Sequence, residues 1–513
     1  MNVVTLFQAQ AAACPGAPAL VEGRGARRRV TTFSDLDAAG ARGAAALLDA
    51  GLRPGDAVLV LVPLSAALYR VLAAVFRAGL VAVVLDPSAG RDHVARCCQM
   101  RPPDAFVGVP KAHLLRAVVP AVRRIPRRFV VGGWAPAAQR FDRGRREAPV
   151  APVGPDAPAL LTFTSGTTGQ PKAAVRSHGV LAAQHTALAA ALGLMPGQVD
   201  LATLPVVVLA SLASGVTTVL PDADLRRPGA FDARPVLDQI RAERPVRTAA
   251  SPAFAERLLD AAAPDDLSSF ERIDLGGAPV FPRLLDRVRA VGIEPVAVYG
   301  STEAEPIADL AATDLSDADR RRTRGGAGLL AGRPVPHVEV RVVEDRWGTP
   351  LGPFAPDAWD ALALAPGAVG EIVVSGAHVV PGYLDGVGDR ETKVDVAGRR
   401  WHRTGDAGRL DPDGRLWLLG RCASASRGAD TVYPLQVEAA LSEAVGARAA
   451  FLDVGGRRIV AVEGDTDPEA VRAAVAWAGL EAVVSVEAIP RDTRHNAKVD
   501  VPALRALLAR SGV

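Results

Sequence analysis

The stretch ALLTFTSGTTGQPK, Ala159 to Lys172, sets an apolar run against a loop of threonine, serine and glycine that ends on a lysine. The apolar run reads as a buried strand. Glycines let backbone N–H groups approach an anion closely, and the hydroxyls add donors. Lys172 supplies a mobile positive charge at the end of the loop. The combination suits a polyphosphate. It is not a Walker A loop, because the spacing of Gly166, Gly169 and Lys172, with Pro171 between them, does not match. Taken alone, the stretch also reads as an ordinary polar turn.

Composition sharpens the choice. Lysine occurs only at Lys111, Lys172, Lys393 and Lys498, while arginine is abundant. A lysine kept against that bias is expected where a compact point charge is needed, which a planar guanidinium does not replace. Lys172 and Lys498 stand out on this ground; Lys111 and Lys393 are assigned to the surface. The net charge is +3, from 59 basic and 56 acidic residues. No basic run interleaves with aromatics, so nucleic acid is not an expected partner. Arg320 to Arg322 read as a solvated face. Cys14, Cys97, Cys98 and Cys422 form no CxxC pair, which argues against a zinc site or a disulfide framework.

The N-terminus lacks a basic start followed by a long apolar run. The most apolar segment, Val71 to Leu85, is too short to span a bilayer and contains Arg77. A cytoplasmic protein with no integral membrane segment is the expectation.

Outward from the opening stretch, strands and helices alternate. Residues 34–50 and 65–80 have helical spacing, with Asp35 near the first start. GDAVLVLVP, GLVAVVLDP, PDAFVGVP and RFVVGG read as strands. The pattern predicts an α/β protein with layered, largely parallel sheets. After the loop, a helix is expected over 178–192, then further alternation through VRTAASPAFAERLLDAA, IDLGGAPV and PVAVYGSTEAEP. From about residue 332 short strands with turns take over, marking a small β-rich subdomain. Within it PDGR, Pro412 to Arg415, signals a hairpin. A small unit of roughly 90 residues follows Arg421. The stretch 134–157 reads as an exposed connection.

Four further segments bear on chemistry. YGSTEAEP (Tyr299–Pro306) offers an aromatic ring, a hydroxyl and a carboxylate together. HRTGDAG (His402–Gly408) offers a carboxylate in a tight turn. LLGR (Leu418–Arg421) precedes the final unit, and RHNAKVD (Arg494–Asp500) carries Lys498. With the opening loop, in this order, they resemble the adenylate-forming superfamily of acyl-CoA synthetases, luciferases and peptide-synthetase adenylation domains. The resemblance covers nearly the whole chain. It implies a large multi-subdomain N-terminal part, residues 1–421, and a small mobile C-terminal α+β domain, residues 422–513.

The resemblance also implies roles, with ATP and Mg²⁺ as the cofactors. Thr164, Ser165, Gly166, Thr167, Thr168, Gly169 and Lys172 would hold the β- and γ-phosphates of ATP. Gly276, Gly277, Ala278 and Pro279 would run along the adenine. Tyr299, Gly300, Ser301 and Thr302 would follow the nucleotide, Tyr299 stacking on the base and Thr302 bonding the α-phosphate. Glu303 would hold Mg²⁺, a hard cation suited to carboxylate and phosphate oxygens. Asp406 would accept from the ribose hydroxyls, with Arg421 nearby. Lys498 would bridge the substrate carboxylate and the α-phosphate during adenylation.

The chain departs from the superfamily pattern in two places. Ala173 stands where a glycine usually follows the loop lysine. Ala423 stands at the hinge, where an Asp or Lys normally lies two residues past the GR arginine. Three segments instead resemble the β-lactone synthetases of bacterial olefin and β-lactone biosynthesis: DLATLPVVVLASLASGVTTVLPDADLRRPGAFD, VYGSTEAEPIA and IPRDTRHNAK. That likeness implies adenylation of an α-alkyl-β-hydroxy fatty acid, then attack by its own β-hydroxyl to close a β-lactone. The partners it implies are a small-molecule acyl substrate, a thiolase, a reductase and a hydrolase-like decarboxylase. An acyl-CoA synthetase or acyl-AMP ligase is the alternative, and a non-catalytic scaffold subunit a more distant one. The run Val206–Val216 reads either as an alkyl pocket or as ordinary core. His178 reads as a structural histidine, with a place near the acyl carboxylate or the β-hydroxyl as the other reading. His402 and His495 receive no catalytic role, and Cys422 is treated as incidental.

Overall fold

A computed structural model describes residues 1–86, 89–144, 146–165, 171–491 and 499–510. The chain forms two compact units, 1–224 with 232–249 and 377–388, and 225–231 with 250–376 and 389–513.

In the first unit the strand Ala57–Leu61 is buried at every position, as expected for a parallel strand covered on both faces. It lies between Val81–Val84 and Ala105–Gly108, both parallel to it. Arg127–Val130 and Gln139–Arg140 extend one side. Pro158–Ser165 extends the other, followed by its antiparallel partner Pro171–Ser177. The opening stretch is thus the hairpin that closes one edge of this sheet. The predicted helices are present at Phe33–Asp49 and Ala66–Arg77. Thr32 and Asp35 form a reciprocal capping box at the start of the first, satisfying two otherwise orphaned N–H groups. The predicted third helix, His178–Leu192, starts on a Ser177 cap and ends on Gly193 in the left-handed region. The stretch 134–157 is mostly exposed but pinned by buried Ala135, Phe141 and Ala148.

In the second unit the strand Arg272–Gly276 pairs in parallel with Glu294–Ser301, which turns back as Ala304–Ala311. Leu329–Pro334, Leu416–Arg421, Arg399–Leu410, Gly370–Ser375 and Glu339–Val343 continue antiparallel. This is the expected short-strand region. The PDGR hairpin forms as predicted: Asp411 Oδ1 accepts from the Asp413 and Arg415 amides at 3.0 and 2.9 Å, an Asx-type turn. Trp359 and Trp401 fill the core here, 5.3 Å apart. Beyond Arg421, three strands (Ala449–Val454, Arg457–Glu463, Ala482–Val486) carry Pro434–Val445 and Pro468–Ala474 on one face and Val501–Arg510 on the other.

One arginine was misplaced by sequence. Arg320 is not on a solvated face: it donates to Asp286 at 2.6 Å and to Glu443 at 3.1 Å. Arg321 and Arg322 are exposed, as expected.

The most demanding interaction in the second unit is the ion pair of Arg403 and Glu371, both with 0% side-chain exposure. Burial pushes the Glu371 carboxyl upward, and the guanidinium pulls it back. Arg403 meets both carboxylate oxygens and three backbone carbonyls, of Arg346, Thr349 and Glu391, at 2.6–3.1 Å. Arg403→Leu leaves a carboxylate buried and unpaired, so denaturant unfolding should register a loss of about 3–5 kcal/mol. A loss below about 1 kcal/mol would mean that the pair does not hold this sheet together.

Candidate active site

The strand Arg272–Gly276 ends in Gly276–Gly277–Ala278–Pro279. Gly277 has φ +82°, a backbone that favours glycine. A Cβ on Gly276 would lie 3.0 Å from the Val298 carbonyl of the next strand. The loop therefore lies flat beside the strand that delivers Tyr299.

Tyr299 sits at the end of that strand. Its hydroxyl donates to Asp406 Oδ2 at 2.8 Å. Arg421 Nε lies 3.2 Å from the other oxygen of Asp406. Pairing between Arg399–Leu410 and Leu416–Arg421 sets Asp406 directly opposite Arg421. Arg421 also donates to the Thr404 carbonyl at 3.1 Å. Burial, and then the Asp406 charge, push the Tyr299 phenol well above its ordinary value, so it stays a donor. Three residues expected around a nucleotide from separate motifs thus meet at Asp406, Tyr299 through a hydrogen bond and Arg421 through an ion pair. A carboxylate offers about four lone-pair sites, so Asp406 keeps acceptor capacity for further hydroxyls.

Gly300 and Ser301 lead into the tip of the hairpin, Thr302–Glu303. A Cβ on Gly300 would lie 3.0 Å from the Ala304 carbonyl. The Glu303 amide donates to Ser301 Oγ at 3.3 Å. The charge of Glu303 raises Arg421, His402 and Lys393, so the hairpin tip lies near two cations, Arg421 and Lys393, and the neutral His402 ring.

Lys393 corrects a sequence expectation. It is not on the surface: it is 3% exposed, on the strand Lys393–Val396. Alternation along that strand sends Val394 and Val396 to the tryptophan core. The opposite face, which the sequence reads as solvent, is covered at this end. Lys393 pairs in register with His402, and Nζ lies 3.2 Å from Nδ1. Burial lowers the Lys393 ammonium to about 8, while Glu303 and Asp389 pull it up. Burial, then Lys393, lowers the His402 imidazole to about 3. Only the scarcity of lysine marked Lys393 in the sequence, and that signal did not separate it from exposed Lys111.

A cavity of about 900 Å³ opens beside these groups, lined at one end by Gly277, Pro279, Tyr299, Asp406 and Arg421. That volume is at the upper end of small-molecule pockets. Its flat glycine loop, aromatic ring and carboxylate fit a purine nucleoside. The nearby hard oxygen donors, the Glu303 carboxylate and the Thr302 hydroxyl, fit a divalent cation such as Mg²⁺.

Lys172 belongs to the first unit. It pairs in register with Thr164 across the hairpin. Its Nζ lies 5.6 Å from the centroid of the Tyr383 ring, within cation–π range. A Cβ on Gly388 would lie 2.6 Å from Lys172 Cε, so glycine there gives the lysine stem its path. Gly166, Thr167, Thr168, Gly169 and Lys498 lie outside the described residues, as do the side chains of Thr164 and Ser165. His178 is fully buried; its Nδ1 accepts from the Val3 amide at 3.1 Å and its ring meets Phe76 edge-on. The structural reading of this histidine holds. The run Val206–Val216 contains the helix Pro205–Ala213, with Val207, Val208 and Leu212 in the core. Val206 and Leu209 line an apolar cavity of about 30 Å³, the room of a single water molecule. Cys422 is buried, and burial pushes its thiol up, as befits an inert side chain.

A model of the family described as AMP-binding enzyme matches residues 7–384. An olefin beta-lactone synthetase of Stenotrophomonas maltophilia is 34% identical, over 95% of this chain and 92% of that one. One of Xanthomonas campestris is 32% identical, over 80% and 74%. The amide bond synthetase McbA of Marinactinospora thermotolerans superposes with a TM-score of 0.80 at 26% identity, covering 98% of this chain and 99% of that one. Among the described residues, no helix is long and apolar enough to cross a membrane.

Burial lowers the His178 imidazole from 6.5 to about 4. It stays neutral in the fold and charges in the unfolded chain. Its contribution is complete above about 6.5 and is lost as pH falls toward about 4. His178→Asn keeps an acceptor for Val3 without titrating. Between about pH 7 and about pH 5 the variant should lose roughly 2 kcal/mol less stability than the parent in denaturant unfolding. Equal losses would mean that His178 is already protonated in the fold.

Proposed function

Since the chain belongs to the AMP-binding enzyme family and is an ATP-dependent, AMP-forming ligase, we propose that it converts an α-alkyl-β-hydroxy fatty acid into a β-lactone. The carboxylate attacks the α-phosphorus of ATP, and pyrophosphate leaves. The substrate's own β-hydroxyl oxygen then attacks the acyl carbon, the bond from that carbon to the phosphate oxygen breaks, and AMP departs. The hydroxyl proton passes to solvent. An internal nucleophile is already beside the electrophile, so no second substrate has to enter.

The observation that carries this reading is the likeness to two proteins named olefin beta-lactone synthetase, one of them over 95% of this chain and 92% of its own. The structural neighbour is likewise named for a product that is not a thioester. The segment after Arg421 adds physical support. Arg427 and Tyr433 both donate to Asp345 Oδ2, at 2.6 and 2.9 Å. Arg427 also donates to the Cys422 carbonyl at 3.1 Å. The hinge position Ala423 lies inside this stitched segment, which suits a reaction needing no thiol.

In this reading Tyr299 stacks on the adenine while its hydroxyl steadies Asp406, and Asp406 accepts from the ribose. Lys172 and the loop before it steady the leaving pyrophosphate. Thr302 bonds the α-phosphate. Glu303 would hold Mg²⁺, which when bound neutralises phosphate charge. Lys498 offsets charge on the carboxylate and α-phosphate, with residues 422–513 acting as the lid that carries it. A thiolase and a reductase would supply the hydroxy acid, and a hydrolase-like decarboxylase would consume the lactone.

The test is one reaction: purified protein, ATP, Mg²⁺ and a synthetic α-alkyl-β-hydroxy fatty acid, without CoA. NMR should identify a β-lactone formed with AMP. An acyl-AMP that turns over only when a thiol is added would overturn the cyclisation and favour an acyl–thiol ligase. Lys498→Ala should slow pyrophosphate release by about 10²–10³-fold, the usual loss for one transition-state donor, with ATP binding retained. Unchanged pyrophosphate release would remove Lys498 from the site.

A further inference from the structure

The strand Pro171–Ser177 stands at one end of its sheet, where the outer edge of a strand offers unpaired backbone groups. A short segment from far along the chain lies against it. Residues 377–388 belong to the first unit, although the chain on both sides of them belongs to the second. Tyr383 bridges Ala174 in antiparallel fashion, and the Val175 amide donates to the Gly382 carbonyl at 3.4 Å. The roles assigned to the motifs give this segment no task.

Packing fixes the Tyr383 ring. It is 7% exposed and forms one cluster with Ala174, Val180 and Val380. Ala174 and Lys172 are alternate residues of one strand, so their side chains leave the same face. The ring that covers Ala174 also meets Lys172, whose Nζ lies 5.6 Å from the ring centroid. That is within reach of the ring quadrupole.

After Tyr383 the segment turns sharply and brings its backbone back to the lysine. The Gly386 amide donates to the Tyr383 carbonyl at 3.0 Å, and the Val387 amide to the Leu384 carbonyl at 3.2 Å. The turn delivers Gly388, with φ +98°. A Cβ there would lie 2.6 Å from Lys172 Cε and 2.7 Å from both Cδ and Nζ. A side chain at 388 fits only if the lysine moves away. The end of Lys172 thus lies between an aromatic face and bare backbone, both supplied by one short loop.

The choice of a ring has a chemical consequence. A carboxylate in its place would neutralise the ammonium and occupy its donors. A ring face steadies the cation and leaves its net charge for an incoming anion.

We propose that Tyr383 is a positioning residue for Lys172: its ring and the bare backbone at Gly388 hold the ammonium, without neutralising it, for the β- and γ-phosphates of ATP. The inference rests on the assignment of Lys172 to those phosphates and not on lactone formation.

Titration calorimetry of the full-length protein in Mg²⁺, with ATP and separately with AMP, tests it; AMP lacks the two phosphates in question. Tyr383→Leu should weaken ATP binding about fivefold and leave AMP binding unchanged. Tyr383→Phe, which keeps the ring, should bind ATP within about twofold of the parent. Gly388→Ala presses on the lysine from the other side and should show the same loss for ATP alone. Lys172→Met should weaken ATP binding by about tenfold or more, and adding Tyr383→Leu to it should cost nothing further. Equal weakening of ATP and AMP by Tyr383→Leu would mark a merely structural residue and overturn the proposal. Unchanged ATP binding in both Tyr383→Leu and Gly388→Ala would do the same, as would an undiminished Tyr383→Leu effect in the Lys172→Met background. A loss confined to Lys172→Met leaves the phosphate assignment standing and removes Tyr383 alone. If Lys172→Met binds ATP like the parent, that assignment fails and the proposal falls with it.

Discussion

The Arg403–Glu371 ion pair governs the second unit. Both side chains are removed from water, which is costly unless every donor and acceptor is met. Arg403 meets that condition through Glu371 and three backbone carbonyls. Trp347 covers the guanidinium at 5.4 Å and also lies over Gly405, whose φ of +70° bends the strand. The chain leaves that bend with Asp406 facing Tyr299 and Arg421. Two residues after Arg403, therefore, a carboxylate is set by packing rather than by loop freedom.

Around Asp406 the structure couples groups that sit far apart in sequence. Tyr299 and Arg421 hold one oxygen each. The Thr404 carbonyl takes a further Arg421 donor and the Thr404 hydroxyl accepts the Asp406 amide. Charge near Glu303 is balanced by Arg421 and by the buried Lys393. The two described lysines of interest use their surroundings differently. Lys393 is held by burial beside an imidazole, while Lys172 keeps a path over Gly388 beside an aromatic ring.

Much of this was legible in the sequence, for physical reasons. Strands covered on both faces are apolar throughout, and Ala57–Leu61 and its neighbours were read that way. Helix starts carry their own signals: Asp35, read near the first start, joins Thr32 in a capping box. Gly277 and the PDGR turn are residue types chosen by backbone geometry. The motifs around Tyr299, Asp406 and Arg421 were legible because each joins a strand end to a side chain of defined chemistry. Those are local properties, and local sequence encodes them.

What sequence could not decide is which face of a strand meets solvent once other elements pack on it. Lys393 alternates with valines as a surface lysine would, yet its face is covered. Arg320 begins an arginine run yet finds Asp286 and Glu443. His178, just after the strand Pro171–Ser177, is claimed by the amide of Val3. The sequence by itself determined the element types and their order, because periodicity and turn residues lie within short stretches of chain, and its motifs carry the resemblance that implies adenylate-forming chemistry. The tertiary structure alone decided the partners of these charges, because burial and hydrogen bonding depend on residues brought together from separate elements, from 9 positions apart for Lys393 and His402 to 175 for Val3 and His178.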